Sequence, residues 1–535
     1  MGGSLPFELV AQIAHYRRLD LQTFLTQYAL VCRQWQAAFE PHIYDRICVH
    51  SEDFKTGKGN ISLAHYRAIT SNSENARARL RMIREIRYRV ILPFELPDYQ
   101  AVITRNPEAE PTYTPDNATR RANNAAFQAA IVEFLDFLTK VPAETRLTLK
   151  IETLGREVGR EPDTEVPLDP WGNPDEARGH WVVRPYRAEF ADSNCVLPRV
   201  LCVDRIVADG AWYTFERDPG HEPSLDTKRV RLEAACSIAR ACPTLSNFRW
   251  EVDDVAQPEH LDYAVERRRA FAESLLDLPA TLQALDVSSL SAQVLHDSLP
   301  APVLFADGND ILSTNLRHIS VRLRRLHLYD VPVANDFLCP LDENGEPRPG
   351  ARIEWPNLAE IDISRPIFLP SGEWLVDPDP TSDFEDPGID IDALDDPDFD
   401  YAEEVYRLVG EDVYWWRSLL NTELYRLSLI SLGYAARHMP RLEHMSVRLS
   451  LYPHSSLYFD RGDGIVGKGR QGQRQATLTF EEDYHKDDED VGRDLPRADE
   501  RVARAWGFDL DMLETEVVDG KSVSKVTVSR NISWD

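Results

Sequence analysis

The chain has 535 residues, of which 43% are hydrophobic, and it carries a formal net charge of −29 at pH 7. This length exceeds what one compact core usually serves, so we expect several domains or an elongated repeat array. The acidic balance argues against a broad nucleic-acid-binding surface, and no apolar run approaches the ~18 residues of a membrane span.

The seven cysteines are sparse, odd in number and without a C-x-x-C pair. This pattern favours a reducing compartment, the cytoplasm or the nucleus, over a disulfide framework or a zinc site. We therefore expect no metal and no cofactor. Much of the negative charge lies in two runs: residues 366–406 hold 14 acids and no Lys or Arg, and residues 481–490 hold seven acids and one lysine.

Apolar residues recur at helical spacing in the first 50 residues. Leu9, Ile13 and Tyr16 share one face of a first helix, and the stretch "YALVCRQWQAAF" (28–39) repeats the pattern. The segment is too small to bury so many large side chains, and an exposed apolar remainder is typical of a surface that docks another protein. We favour this interpretation, or plain core packing, over a nucleophilic role for Cys32, which would need a histidine base.

Residues 51–194 read as a helix-and-strand segment that leads into a repeat domain. It holds an amphipathic helix pattern, "AAFQAAIVEFLDFLTKV" (125–141), the strand-like "RLTLKI" (146–151) and six arginines within residues 77–89. These arginines could form a basic recognition patch, but the solvated face of an amphipathic helix is the more common origin of such a pattern.

A loose repeat of the form L-x-x-apolar-x-apolar occupies residues 195–455, and the acidic insertion 366–406 lies within it. Helix-like segments such as "VYWWRSLLNTELYRL" (413–427) lie between its copies. Its five copies are "PTLSNFRW" (243–250), "ATLQALDV" (280–287), "TNLRHISV" (314–321), "PNLAEIDI" (356–363) and "PRLEHMSV" (440–447). One strand and one helix per period is typical of leucine-rich-repeat-like solenoids. The residue between the last two apolar positions of each strand points outward. This rule nominates as substrate-binding residues Arg249, Asp286, Ser320, Asp362 and Ser446.

Residues 456–535 are predicted to form a C-terminal cap of strands and one helix, with Gly-rich and acidic loops. Within it, "GDGIVGKG" (462–469) nearly matches the phosphate-binding loop G-x-x-x-x-G-K-S/T, but Gly469 stands where a hydroxyl would bind magnesium. We favour a hairpin loop and keep a nucleotide-binding enzyme as the least favoured alternative.

"LPFELVAQI" followed by "LTQYALVCRQW" and "FEPHIYDRICV" resembles an F-box, and the downstream helix-to-strand segment is similar to large fungal F-box proteins. The resemblance covers about residues 4–50 and implies a three-helix F-box at residues 1–50. Together with the repeat pattern it predicts an α/β protein in which the F-box is followed by the irregular leucine-rich-repeat-like solenoid. It implies a non-catalytic subunit of a cullin–RING (SCF) ubiquitin ligase that binds a Skp-type adaptor, its cullin scaffold and an unidentified protein substrate, with no nucleic acid or membrane partner. The residues that match the family's adaptor contacts are Leu5, Pro6, Glu8, Ile13, Leu30, Val31, Cys32 and Trp35. The alternatives are an F-box scaffold that enters no ligase and, for Trp35 especially, a purely structural role.

Overall fold

The protein is described here from a computed structural model of the full chain. The described residues are 5–18, 25–54, 61–71, 78–96, 101–103, 116–159, 180–182, 186–208, 230–252, 261–289, 301–305, 308–350, 354–378, 417–449, 455–466, 473–483, 499–518 and 521–531. The chain folds as a mixed α/β protein with two compact units. Unit 1 comprises residues 1–250 with 278–281, and unit 2 comprises residues 251–277 with 282–535.

Unit 1 begins with three helices and continues as a parallel sheet with helices between its strands. The helices are α1 (Phe7–Arg18), α2 (Thr26–Ala29), α3 (Arg33–Ile43), α4 (Leu63–Ser71), α5 (Ala118–Leu138) and α6 (Leu232–Arg240). The strands, in spatial order, are β2 (Ile61–Ser62), β1 (Arg46–His50), β3 (Glu85–Glu95), β5 (Leu147–Val158), β7 (Val203–Val207) and β8 (Asn247–Val252). A separate antiparallel pair joins β4 (Ala101–Ile103) and β6 (His180–Val182).

Strand β3 shows why these segments form a sheet with one buried face. Ile86, Tyr88 and Val90 are buried, whereas the residues between them are half-buried on the opposite face, as the two-residue period of a strand requires. The ring of Tyr88 stacks on Phe134 of helix α5 with centroids 3.9 Å apart, and its hydroxyl donates a hydrogen bond to the Ala130 carbonyl at 3.0 Å. The core of this region therefore lies between the sheet and α5.

Helix α5 is positioned at its start by a side-chain cap. Asn117 has an extended backbone, and its Oδ1 accepts a hydrogen bond from the Arg120 amide at 3.0 Å. This satisfies one amide that would otherwise lack a partner in the first turn. The predicted helix at 125–141 thus begins earlier than expected, at Ala118.

Unit 2 contains a sheet that is parallel on one side and antiparallel on the other. The parallel strands are β9 (Ala284–Ser289), β10 (Arg325–Tyr329), β11 (Glu360–Arg365) and β14 (His444–Leu449). The antiparallel strands follow in the order β15 (Ser455–Val466), β16 (Gln473–Asp483), β18 (Lys521–Asn531) and β17 (Glu514–Val518). A small antiparallel pair joins β12 (Val376–Pro378) and β13 (Arg417–Leu420). The helices are α7 (Leu261–Leu275), α8 (Ile311–Ser320), α9 (Thr422–Ala436) and α10 (Glu500–Trp506), with a 3₁₀ turn at Leu510–Met512.

Four of the five predicted repeat strands are confirmed as β8, β9, β11 and β14. The strand predicted at 314–321 is wrong, because helix α8 occupies that segment and the strand of that period, β10, begins at Arg325. Leu312, Leu316 and Ile319 are buried at helical spacing. The lead position belongs to the buried Leu323, three residues before Leu326, which pairs in register with Leu285 and Ile361.

The predicted C-terminal strands and helix are confirmed as β16, β18 and α10. The parallel sheet of unit 1 already includes β1, β3 and β5, so it begins well before residue 195. The segment predicted as helix at 413–427 contains strand β13 and only the start of α9, while residues 413–416 lie outside the described residues.

The beginning of the acidic insertion is structured, because Phe368, Trp374 and Val376 lie in a small buried cluster with Ala301. Residues 379–406 and 484–490 of the acidic runs lie outside the described residues.

Candidate functional site

Helices α1, α2 and α3 share a very small hydrophobic core. Among the described residues of this region, four core side chains are buried: Val10, Ala14, Ala38 and Phe39. The rings of Tyr28, Trp35 and Phe39 stack beside them, with the Trp35 and Phe39 centroids 5.5 Å apart and the Tyr28 and Phe39 centroids 5.1 Å apart. The two outer rings remain half-buried, so this core is incompletely covered within the part of the chain that the structure describes.

Apolar side chains are exposed where α2 turns into α3. Leu30 is 86% exposed and Val31 is 62% exposed. Leu30 ends α2, and Cys32 precedes α3 with an extended backbone, so Val31 lies in a tight turn between the two helices. Gln34 donates a hydrogen bond from Nε2 to the Leu5 carbonyl at 2.7 Å. This bond places the start of α1 beside the start of α3.

The residues predicted to bind an adaptor divide into two groups. Six are exposed around the starts of α1 and α3: Leu5, Pro6, Glu8, Leu30, Val31 and Cys32. Ile13 and Trp35 instead pack against the buried residues of the small core. We refer to the six exposed residues as the apolar turn surface. Two further exposed apolar residues on α1, Phe7 and Leu9, were not among the predicted contacts.

An ion pair joins α3 to the segment that precedes strand β3. The Arg79 guanidinium lies 2.8 Å from the Glu40 carboxylate and 5.2 Å from the centroid of the Tyr44 ring. Burial alone would raise the pKa of Glu40, but the hydrogen bonds from Gln36 and Arg79 outweigh burial and lower it. Contacts of this kind support the three helices, whose own core is small.

The face of the unit 1 sheet opposite the buried one carries six cationic side chains among its thirteen residues. Residues on adjacent strands form three rows across this face. The first row contains Arg46, Glu85, Thr148, Arg205 and Asn247. The second contains Cys48, Arg87, Lys150, Val207 and Arg249, and the third contains His50, Arg89 and Glu152. The buried Glu152 carboxylate binds two guanidinium groups, Arg89 at 2.8 Å and Arg87 at 3.1 Å.

The corresponding face of the unit 2 sheet carries paired charges of both signs. His327 on β10 lies between two carboxylates, with Nδ1 3.1 Å from Asp286 Oδ1 and Nε2 3.0 Å from Glu360 Oε1. Burial of the imidazole lowers its pKa, but the hydrogen bond and charge of Asp286 and the charge of Glu360 outweigh burial, and the pKa of His327 is raised. Arg448 lies 3.6 Å from Asp362 on the neighbouring strand.

The residues predicted to bind substrate do not all lie on these faces. Arg249 is half-buried on the unit 1 face, and Asp286 and Asp362 are half-buried on the unit 2 face. Ser446 pairs with Asp362 in the same row but is buried. The outward orientation predicted for Ser320 is wrong, since this residue lies on helix α8 and is fully buried.

The Gly-rich segment 462–469 is only partly described. Gly462 lies within strand β15, and the next described element is strand β16, which is antiparallel to β15. Gly467, Lys468 and Gly469 lie outside the described residues. Within the described ranges, no group of three or more His, Cys, Asp or Glu side chains is arranged to hold a metal ion.

Comparisons with known proteins assign no relative, because no protein-family model, no curated protein and no solved structure matches this chain. Among the described helices, none combines the length and the apolar character needed to cross a bilayer.

Proposed function

We propose that this protein is the substrate-recognition subunit of an SCF-type ubiquitin ligase, located in the cytoplasm or the nucleus. The N-terminal helices are proposed to be an F-box that binds the Skp-type adaptor and, through it, the cullin scaffold. The rest of the chain is proposed to be an irregular leucine-rich-repeat-like domain that holds a protein substrate.

The observation that carries this proposal is the exposure of Leu30 and Val31 in the turn between α2 and α3. Aliphatic side chains exposed side by side form the kind of apolar surface by which proteins bind one another when it is part of a larger patch. Full burial of one such side chain is worth about 1.5–3 kcal/mol, so the pair can supply a large share of a specific interface. Both residues occupy positions of the "LVCRQW" motif by which the segment resembles an F-box.

A repeat-like architecture is supported by equivalent contacts that recur along the chain. Thr244 Oγ1 lies 3.0 Å and 2.9 Å from the carbonyl oxygens of Leu201 and Val203. Thr281, 37 residues later, lies 2.8 Å from the carbonyl oxygens of Pro243 and Leu245. Each hydroxyl joins one strand-preceding turn to the previous one, and such nearest-neighbour contacts are typical of stacked repeats.

A subunit of this kind performs no chemistry itself. It holds the substrate and the ubiquitin-charged enzyme on one assembly, which raises the effective concentration of substrate lysines at the enzyme. The N-terminal helices and the polar sheet faces are separate surfaces of different chemistry. They are therefore suited to bind the adaptor and the substrate, respectively.

The proposal is tested by a pull-down of the purified chain with a Skp-type adaptor. We expect binding at micromolar concentration, and we expect Val31→Asp to weaken it at least tenfold, because a carboxylate would have to be buried without a partner. Val196→Asp is the matched control, since Val196 is 90% exposed in the loop before β7, outside the three helices. The proposal fails if the wild-type chain does not bind, or if Val196→Asp weakens binding as much as Val31→Asp. Retained adaptor binding without assembly onto a cullin would instead indicate a non-ligase scaffold.

A further inference from the structure

We infer that the outward face of the unit 1 sheet binds an acidic peptide segment of a protein partner. The face consists of the three rows across strands β1, β3, β5, β7 and β8. This inference specifies the substrate class of the receptor proposed above and rests on that proposed function for its biological role, but binding to the face can be measured independently of the adaptor.

The charge of this face is opposite in sign to that of the whole chain. Its rows contain six cationic residues: Arg46, Arg87, Arg89, Lys150, Arg205 and Arg249. The carboxylates on the same strand positions are Glu85 and Glu152, with Glu251 next along β8. Burial and then the charge of Arg89 lower the pKa of His50, so its imidazole adds no charge at pH 7. Asp204, which is half-buried where the pairing of β7 with β5 is irregular, adds a fourth carboxylate. The formal excess is therefore two positive charges on a protein whose net charge is −29.

Ion pairs within the face do not remove this excess. The carboxylate of Glu152 is shared by Arg87 and Arg89, and Glu85 lies 3.7 Å from Lys150. Arg46 and Arg205 are exposed in the first row. A ligand that brings two carboxylates would match the formal charge of the face, and this charge complementarity identifies the class of partner.

The dimensions of the face favour an extended peptide over a small anion. Its five strands are spaced by about 4.8 Å, so the cationic positions extend over about 19 Å. A single phosphate or carboxylate would reach only one or two of them. An extended peptide rises by about 3.3 Å per residue, so a stretch of roughly six residues would cross all five strands.

Nucleic acid fits this face less well than an acidic peptide. A duplex presents one phosphate charge about every 1.7 Å of its axis and demands an unbroken basic track, whereas Glu85 and Glu152 interrupt the cations here. The three rows contain no Phe, Tyr or Trp on which a base could stack. An acidic peptide can place its carboxylates at intervals that avoid the two glutamates.

The experiment is a fluorescence-anisotropy titration of the full-length chain with a labelled Glu-Gly decapeptide in low salt. We expect binding that weakens as salt rises, and no binding of the matched Gln-Gly peptide. The double variant Arg46→Gln/Arg205→Gln is expected to reduce affinity about three- to tenfold, because each exposed ion pair contributes modestly. Arg121→Gln is the control, since Arg121 is an exposed arginine on helix α5, away from the rows, and we expect its affinity to match that of the wild type.

The inference is overturned if the Gln-Gly peptide binds equally well, or if the double variant binds the acidic peptide as the wild type does. It is also overturned if labelled oligothymidine binds more tightly than the acidic peptide, or if the double variant abolishes self-association of the chain at low salt, since a second copy would then be the occupant. Adaptor binding is measured on the same samples. If the wild-type chain binds the adaptor but not the acidic peptide, this inference alone is contradicted. If it binds the acidic peptide but not the adaptor, the proposed ligase function is contradicted and the acidic-peptide face remains in place.

Discussion

The indole Nε1 of Trp355 donates a hydrogen bond to Ser320 Oγ at 2.8 Å, and both side chains are almost completely buried. The Ser320 hydroxyl in turn donates to the Arg317 carbonyl at 2.7 Å. The serine thus connects helix α8 to the turn that precedes strand β11. It holds two elements of unit 2 together and has no access to a ligand.

Ser320→Ala is therefore expected to destabilise unit 2 without affecting binding. Removal of the hydroxyl leaves the buried indole N–H without its acceptor, which costs about 1–3 kcal/mol. Urea unfolding followed by tryptophan fluorescence measures this loss. Ser237→Ala is the control, because the exposed Ser237 hydroxyl bonds only a carbonyl of its own helix, and we expect a change within about 0.5 kcal/mol. Equal stabilities of the two variants would contradict the role given to Ser320.

Trp35→Ala is expected to act through folding of the N-terminal helices. The Trp35 ring stacks on Phe39, and few other large side chains support this core. Loss of the ring should cost about 2–4 kcal/mol locally. We expect faster proteolytic cleavage within residues 5–45 together with loss of adaptor binding, whereas Val31→Asp should lose binding with unchanged cleavage. Unchanged cleavage in Trp35→Ala would assign that side chain to the adaptor contact instead.

His327 is expected to make the stability of unit 2 depend on pH. Its folded-state pKa is raised above the ordinary value of 6.5 by Asp286 and Glu360, against the effect of burial. The protonated imidazole therefore stabilises the fold fully below pH 6.5, and this contribution is lost as pH rises through the raised pKa. Urea unfolding at pH 5.5 and pH 8.5 measures the loss.

His327→Gln should reduce that pH dependence. His444→Gln is the control, because His444 pairs with only one exposed carboxylate, Asp460, at 2.7 Å. The raised pKa of His327 would be contradicted if the wild-type chain became more stable between pH 5.5 and pH 8.5 and if His327→Gln removed this increase.

Much of the parallel sheet could be predicted from the lead leucines. Leu245, Leu282, Leu358 and Leu442, which begin four of the five repeat copies, are all buried two residues before their strands start. The third period was misplaced because "TNLRHISV" and "RLRRLHL" both fit the repeat pattern, and only packing selects between them. Leu316 and Ile319 suit the buried face of a helix as well as that of a strand. They lie on helix α8, because Leu323, Leu326 and Leu328 supply the buried residues of the strand of that period.

Of the six cationic residues on the basic face, only Arg87 and Arg89 belong to the run of six arginines in residues 77–89. Arg87 and Arg89 were interpreted as part of a solvated helix face, whereas they alternate with Ile86, Tyr88 and Val90 on strand β3. This two-residue alternation was the signal that could have located them. Their proximity to Arg46 and Arg205 could not be predicted, because it depends on the register of strands separated by irregular connections.

The apolar turn surface was the most predictable part of the candidate site. Sequence spacing indicated that the N-terminal helices are too small to bury all their apolar residues, and Leu30 and Val31 are indeed exposed. The sequence could not separate Ile13 and Trp35 from the exposed group, because all of these residues follow the same helical spacing and only the fold determines which of them face inward.

Adaptor binding by the apolar turn surface is tested most directly by a calorimetric titration of the full-length chain with a Skp-type adaptor. We expect saturable binding of one adaptor per chain with a negative heat-capacity change, because apolar surface around Leu30 and Val31 is buried. We also expect Leu30→Asp/Val31→Asp to abolish the heat while circular dichroism stays unchanged. Absence of binding by the wild-type chain, or full binding by the double variant, would contradict adaptor binding by this surface.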